Sequence, residues 1–184
     1  MNKKTFLTLF SIFFALFLYP TEQKVFIIPI EGEINKSLMV FIRRNIEKAK
    51  IEKATHIIFE LNTFGGRVDS ALQITTIIGS LKDIKTIAYI PSKSETFGVS
   101  WSAGALIAFS CNKIYMSEGT SIGAAAPVYQ TQEGVQMAPE KIVSPLRTQM
   151  ASLAEKNGYP KNIAIAMVDL DIEIYEVYIN NNLI

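Results

Sequence analysis

The stretch that decides the fold is residues 99–108, Val99-Ser100-Trp101-Ser102-Ala103-Gly104-Ala105-Leu106-Ile107-Ala108. From Ala103 onward the run is small and apolar on every side, which predicts a short buried helix with Ser102 at its N-terminus. The first turn of a helix leaves backbone N–H groups without intrahelical partners and carries the positive end of the helix dipole. Such a helix start suits a developing oxyanion, although a serine in this position is most often an ordinary N-cap.

The composition is that of one globular or membrane-associated domain. Its 184 residues are 49% hydrophobic and 19% charged, which excludes a disordered chain. The 18 Lys and Arg residues balance 17 acidic ones without a long basic block, so nucleic acid is not expected as a partner. The single cysteine, Cys111, excludes an intramolecular disulfide, and its apolar neighbours predict a buried thiol.

The first 20 residues have the pattern of an export signal. Lys3 and Lys4 precede an uncharged run of 14 residues, Phe6 to Tyr19. As a helix this run measures about 21 Å, shorter than the roughly 30 Å hydrocarbon core of a bilayer. We therefore predict that residues 1–20 are a signal peptide or an uncleaved membrane tether. The rest of the chain is expected to be exported, to the periplasmic or extracytoplasmic face of the membrane.

From residue 24 onward, apolar runs of strand length alternate with amphipathic helices. Strands are predicted at 25–30, 56–61, 86–90, 112–116 and 172–179, and a polar loop at 129–136. Helices are predicted around 38–49, 71–81 and 144–156. The alternation indicates an α/β fold with a mostly parallel sheet, which binds ligands at the carboxyl ends of its strands. The chemistry is expected in the loops after Leu61 and Ile90.

The residue types leave serine with lysine as the catalytic pair. The one histidine, His56, opens a predicted strand at the end away from these loops, which argues against a Ser-His triad. The carboxylates have no His or Cys partners at ligand spacing, so neither a metal nor another cofactor is predicted. A lysine acts as a general base only if its pKa falls from about 10.4 toward 7 to 8. The apolar neighbours of Lys141 could supply the necessary burial, and a solvated turn lysine is the ordinary alternative.

Four ordered motifs carry a family resemblance. They are Leu61–Arg67 (LNTFGGR), Ser100–Gly104 (SWSAG), Gly119–Ala124 (GTSIGA) and Ala138–Lys141 (APEK), and together they resemble the NfeD family of Clp-class proteases. The resemblance covers about residues 24–168. It implies a Clp protease/crotonase-like spiral of mostly parallel strands with flanking helices. It also implies Ser102 as nucleophile, Lys141 as base, and the N–H groups of Gly66 and Ala103 as oxyanion hole.

The resemblance also implies a substrate. It suggests a membrane-associated serine endopeptidase that cleaves apolar segments of membrane proteins such as stomatin-like partners. Substrate is expected to bind as an extended strand along the small residues Gly65, Ala124, Ala125 and Ala126. Residues 24–184 would form a C-terminally shortened protease domain, and related folds suggest a homo-oligomer such as a dimer.

A non-catalytic function stays open beside the peptidase. Asn62 and Phe64 stand where the family pattern has Asp and Pro, so the turn before the glycines differs. The alternative is a Clp-fold binding partner that holds an extended segment of a membrane protein in the same groove. Acyl-CoA chemistry on this type of fold is disfavoured by the export signal, because its thioester substrate is cytoplasmic.

Overall fold

A computed structural model describes residues 23–92, 98–175, 178–179 and 182–183. The predicted signal peptide or tether at residues 1–20 lies outside these ranges and stays a prediction. Within the described ranges, none of the helices combines the length and the apolar character needed to cross a bilayer.

The centre of the fold is a six-stranded parallel sheet. Its strands are β1 (Val25–Ile34), β2 (His56–Gly66), β3 (Lys85–Ile90), β4 (Val99–Trp101), β5 (Lys113–Met116) and β6 (Ser121–Gly123). The order is β5-β3-β2-β4-β6, with β1 paired to the other edge of β2. The prediction of a mostly parallel α/β sheet is confirmed.

The long strand β2 organises the sheet. One edge of β2 pairs with β1 along its length. The other edge pairs first with β3, over His56 to Glu60, and then with β4 at Thr63. Because two different strands share this edge, the sheet curls along β2. The C-terminal half of β2 ends in Gly65 and Gly66.

Five helices are found in the described residues. They are α1 (Lys36–Ile51), α2 (Val68–Gly79), α3 (Ala103–Ser110), α4 (Glu140–Lys156) and α5 (Lys161–Ala166). All eight residues of α3 are buried, which confirms the buried helix expected after Ser102. Its side chains join the isoleucine-rich core made by β1, β2, α1 and α2.

Helix α4 begins earlier than predicted, at Glu140 rather than near Ser144. The carbonyl of Pro139 accepts hydrogen bonds from the amides of Ile142 and Val143, at 2.8 and 3.2 Å, and this starts the helix. Pro145 consequently lies inside α4. Because proline has no N–H, the carbonyl of Lys141 lacks its normal helical donor four residues later.

Two other predicted segments are corrected. The polar loop at 129–136 is a hairpin of β7 (Val128–Thr131) and β8 (Gly134–Met137). The strand predicted at 172–179 is wrong over 172–175, where the backbone pairs with no strand and the apolar side chains are exposed. Among the residues that the structure describes, two short strands, β9 (Tyr178–Ile179) and β10 (Asn182–Leu183), pair only with each other. Apolar composition alone does not make a strand, because the backbone of a strand must also pair with a sheet edge.

Candidate active site

Ser102 occupies the junction between β4 and α3 in an unusual backbone conformation. Its φ is 53° and its ψ is −120°, a region that costs a non-glycine residue about 1 to 3 kcal/mol. The Ser102 amide donates to the carbonyl of Gly123 at 2.8 Å. The half-buried side chain makes no capping hydrogen bond to the helix. The ordinary N-cap interpretation is therefore excluded, and the hydroxyl is available for chemistry.

Gly65 packs directly against Ser102. A β-carbon at Gly65 would lie 2.6 Å from Ser102 Cβ and 3.0 Å from Ser102 Oγ, and its φ of +106° also requires glycine. Thr63 fixes this turn, because its hydroxyl donates to the Gly32 carbonyl at 2.5 Å and accepts from the Gly65 amide at 3.0 Å. The structure thus brings the predicted substrate-binding glycine and the predicted nucleophile together.

Gly66 packs against β1 rather than against Ser102. A β-carbon here would lie 2.3 Å from the carbonyl oxygen of Ile34. Gly66 pairs with Ile34 in the parallel ladder, and the next amide, that of Arg67, donates to Ile34 O at 2.7 Å. Neighbouring amides in a strand point to opposite edges, so the Gly66 amide points away from β1.

The first turn of α3 supplies further amides. Ala103 is buried and is the first residue of the helix. Its N–H group has no possible partner inside α3, because it belongs to the first turn. The helix start therefore places an amide without an intrahelical partner, and the positive end of the helix dipole, beside the Ser102 hydroxyl.

An apolar pocket opens next to Ser102. Its cavity volume is about 20 Å³, close to the space that one water molecule needs, and it is lined by Val68, Ser102, Ala103, Leu106, Ala125, Pro127, Leu146 and Met150. The sequence did not predict five of these residues, which are Val68, Leu106, Pro127, Leu146 and Met150. The i, i+4 spacing of Leu146 and Met150 on α4 was the available signal. Its lining suits an apolar side chain, which would enter after the lining residues move apart.

The predicted substrate-binding alanines have different environments. Ala125 is buried and lines the pocket, and its amide donates to the carbonyl of Met167 at 2.7 Å. Ala124 is exposed with a φ of 47°, and Ala126 is half-buried. Neither of these two lines the pocket. The segment after α5 therefore already covers part of the edge at Ala125.

Lys141 is not joined to Ser102 in this structure. It is the second residue of α4, it is exposed, and it is absent from the pocket lining. Across the part of the chain that the structure describes, no hydrogen bond or ion pair involves its amine. The neighbouring Met137 and Ile142 are also exposed. The burial that the sequence predicts around Lys141 is therefore absent from the single chain.

Arg147 connects the turn that carries Lys141 to the body of the protein. Its guanidinium contacts Glu140 at 2.5 Å and also forms an ion pair with Asp169, after α5. The hydrogen bond to Glu140, followed by the one to Asp169, raises the pKa of Arg147. The first turn of α4 is thereby tied to the segment that also covers Ala125.

Other reactive side chains lie away from the site. His56 begins β2, at the end of the strand opposite Gly65, and its Nδ1 lies 2.9 Å from the Thr55 hydroxyl, as expected for a structural residue. Burial raises the pKa of the Cys111 thiol to about 12. Within the described ranges, no group of three or more His, Cys, Asp or Glu side chains is placed to hold a metal ion.

Similar proteins match most of this chain. Membrane protein NfeD1b of Bacillus subtilis is 36% identical over 156 residues, or 85% of this chain. Membrane-bound protease PH1510 of Pyrococcus horikoshii is 33% identical over 154 residues, or 82% of this chain. The matches span only 33% and 34% of those two proteins, so this chain corresponds to about a third of each.

Solved structures share the fold. The 1510-N membrane-bound stomatin-specific protease has been solved as a serine-to-alanine variant and as a lysine-to-alanine variant with a substrate peptide. Each has a TM-score of 0.74 over 83% of this chain, with 31% and 32% identity over 73% and 69% of those chains. ClpP1 of Listeria monocytogenes has a TM-score of 0.55 at 20% identity, covering 78% of both chains.

The parallel sheet, the buried helix after Ser102 and these structures define a Clp-like α/β protein. The family described as "NfeD1b, N-terminal domain" matches residues 24–184. The chain belongs to this NfeD1b N-terminal domain family, which confirms the resemblance found in the four sequence motifs.

Proposed function

We propose that this chain is a serine endopeptidase with Ser102 as nucleophile and Lys141 as general base. The observation that carries the proposal is the strained, uncapped Ser102 at the start of α3, in contact with Gly65. Similar proteins support it, since one is a membrane-bound protease and its solved structures include variants of a serine and of a lysine.

In the proposed reaction, Ser102 Oγ attacks the scissile carbonyl carbon while the neutral amine of Lys141 takes the hydroxyl proton. The protonated lysine then gives this proton to the leaving amine, and an acyl-enzyme remains. Lys141 next takes a proton from a water molecule that attacks the ester, and Ser102 recovers its proton when the acid leaves. Each tetrahedral intermediate carries an oxyanion.

The oxyanion would be held by the amides of Ala103 and Gly66. The Ala103 amide is the first of α3 and has no partner within the helix, and the Gly66 amide points to the edge of β2 away from β1. That is the edge that pairs with β4, the strand leading to Ser102. Removal of one such donor typically costs about 3 to 4 kcal/mol of transition-state stabilisation.

Lys141 must move to complete the dyad, and its helical turn is suited to movement. Pro145 removes the hydrogen bond that would hold the Lys141 carbonyl in α4. An apolar substrate that covers this turn would exclude water from the amine and so favour its neutral form. We therefore propose that substrate binding assembles the dyad from a turn that is exposed in the single chain.

The proposed substrate is an apolar segment of a membrane protein, such as a stomatin-like partner. The apolar lining of the pocket beside Ser102 supports this choice, as does the stomatin-specific protease among the similar structures. The segment would bind as an extended strand beside Gly65 and Ala124 to Ala126, with the Ala125 amide already engaged by Met167. The enzyme would act outside the cytoplasm at the membrane, as a homo-oligomer such as a dimer.

Labelling with a fluorophosphonate tests the nucleophile. The wild-type chain is expected to form a covalent adduct at Ser102, and Ser102→Ala is expected to form none. Ser80→Ala is the matched control, because Ser80 is an exposed serine at the end of α2, and it should label like the wild type. Equal labelling of the wild type and Ser102→Ala, or no labelling of either, would reject the mechanism.

The exposure of Lys141 favours a second candidate function. A chain whose proposed base stands in solvent can hold an extended membrane-protein segment without cleaving it. This candidate predicts that peptide binding survives both Ser102→Ala and Lys141→Ala and that the wild type cleaves nothing. The peptidase predicts that Lys141→Ala keeps peptide binding but loses cleavage.

A further inference from the structure

Two large aromatic side chains are exposed beside Ser102. Phe64 is 75% exposed and Trp101 is 37% exposed. Their rings contact each other edge to face, with centroids 5.4 Å apart and an interplanar angle of 74°. Phe64 immediately precedes Gly65, and Trp101 immediately precedes Ser102. We call this feature the aromatic pair.

The aromatic pair lies on the face of the sheet opposite α3. Thr63 and Ser100 are opposite each other in the β2–β4 pairing and are 1% and 0% exposed. Both face α3, because a β-carbon on Gly104 would lie 2.7 Å from Thr63 Cγ2 and 2.9 Å from Ser100 Oγ. Successive side chains of a strand alternate between faces, so the next residue in each strand points the other way.

The apolar pocket lies on the α3 side. Its lining includes Leu106 of α3 and Met150 of α4, and neither member of the aromatic pair contributes to it. Ser102 therefore stands between two apolar sites, the pocket on one face of the sheet and the aromatic pair on the other.

An extended peptide would reach both sites at once. Its successive side chains alternate between two faces, so a residue that enters the pocket leaves its neighbour directed to the other face. We propose that the aromatic pair is a second specificity site, which binds an apolar substrate side chain adjacent in sequence to the one in the pocket. This inference rests on the proposed peptide-binding role of the Ser102 groove.

The aromatic pair is preorganised for this role. The indole Nε1 of Trp101 donates to the Ser121 hydroxyl at 2.7 Å, which fixes the ring and uses its one polar group. The exposed edge of Phe64 then offers an apolar surface at low cost in side-chain entropy.

Selectivity in cleavage tests the proposal. Two pairs of peptides are compared, and all of them have a leucine intended for the pocket. In the first pair the residue before this leucine is either leucine or glycine. In the second pair the residue after it is varied in the same way. In one of the two pairs, the wild type is expected to cleave the peptide with the added leucine with a kcat/KM about tenfold higher than that of the glycine peptide. Phe64→Ala should abolish this preference. Phe41→Ala is the control, because Phe41 is 42% exposed on the distant helix α1, and it should keep the preference. An unchanged preference in Phe64→Ala would overturn the proposal.

Binding without catalysis separates this inference from the peptidase proposal. Trp101 is the single tryptophan of the chain, so its fluorescence in Ser102→Ala reports peptide at this site. The leucine peptide should change the emission and bind about tenfold more tightly than the glycine peptide, and Phe64→Ala added to this variant should remove the difference. Equal affinities would overturn the aromatic site. If the two peptides differ clearly in affinity but the wild-type chain is neither labelled by fluorophosphonate nor able to cleave peptide, the aromatic site is retained and the peptidase proposal is rejected.

Discussion

Gly65 and Ser102 are so close that a single β-carbon on the glycine would overlap the serine side chain. The hypothetical atom lies 2.6 Å from Ser102 Cβ and 3.1 Å from the carbonyl oxygen of Trp101. The diglycine turn and the start of α3 therefore form one packed unit, although Gly65 and Ser102 are 37 positions apart in the sequence. The conformation of the nucleophile depends on the absence of a side chain on the opposite loop.

The first prediction follows from this contact. Gly65→Ala should lower the free energy of unfolding by about 2 to 4 kcal/mol, the sum of backbone strain at positive φ and overpacking against Ser102. Fluorophosphonate labelling should fall with it, because the serine must shift. Urea unfolding and labelling rate are the measurements.

Gly134 provides the matched control for Gly65. Its φ of +117° is close to the +106° of Gly65, but no described heavy atom lies within 4 Å of its hypothetical β-carbon. Gly134→Ala should show only the strain, about 1 to 2 kcal/mol, and no loss of labelling. If the two variants were equally destabilised and labelled equally well, the contact would not matter to the site.

The second prediction concerns Ser100. Its hydroxyl is buried and has no hydrogen-bond partner among the described residues. Replacing it removes an unsatisfied polar atom, so Ser100→Ala should raise the free energy of unfolding by about 1 kcal/mol. Ser110→Ala is the contrast, because the Ser110 hydroxyl donates to Ile107 O at 2.6 Å and its loss should be neutral or destabilising. A destabilised Ser100→Ala would show that this hydroxyl has a partner, such as water.

The third prediction concerns pH and Cys111. Burial raises the pKa of this thiol from 9.0 to about 12, so the folded protein should resist iodoacetamide at pH 8, while the urea-unfolded chain should react. As the pH rises, the thiol ionises at a lower pH in the unfolded chain than in the folded protein. Its contribution to stability is therefore complete below about pH 8.5 and is lost as the pH rises toward 12. Cys111→Ala should flatten that alkaline decline, and rapid alkylation of the native protein would contradict the burial.

The fourth prediction concerns Arg147. Its ion pairs with Glu140 and Asp169 hold the first turn of α4 to the segment after α5. Arg147→Ala should lower Tm and increase proteolysis near Lys141, because this turn also lacks the hydrogen bond removed by Pro145. Peptide cleavage should fall more than fluorophosphonate labelling of Ser102, since a less ordered turn would bring Lys141 to Ser102 less often. Arg43→Ala, on α1, is the control. Equal proteolysis of the two variants would show that Arg147 does not hold the turn.

The sequence by itself determined the regular part of the fold. Alternating apolar runs and amphipathic segments predicted the parallel sheet, and the small apolar run after Ser102 predicted a wholly buried helix. These properties depend on periodicity, which is local and can be read along the chain. The polar segment at 129–136 and the apolar one at 172–175 were misjudged, because strand pairing depends on whether a partner edge is available.

Only the tertiary structure decided which residues share the site. It joined Gly65 to Ser102, built the pocket from α2, α3, α4 and the segment after β6, and left Lys141 in solvent. It also placed Phe64 and Trp101 on the opposite face of the sheet from the pocket. These placements depend on packing between elements far apart in the chain, where contacts of a few ångströms depend on the distance between elements and on strand register. Neither quantity is carried by local sequence pattern.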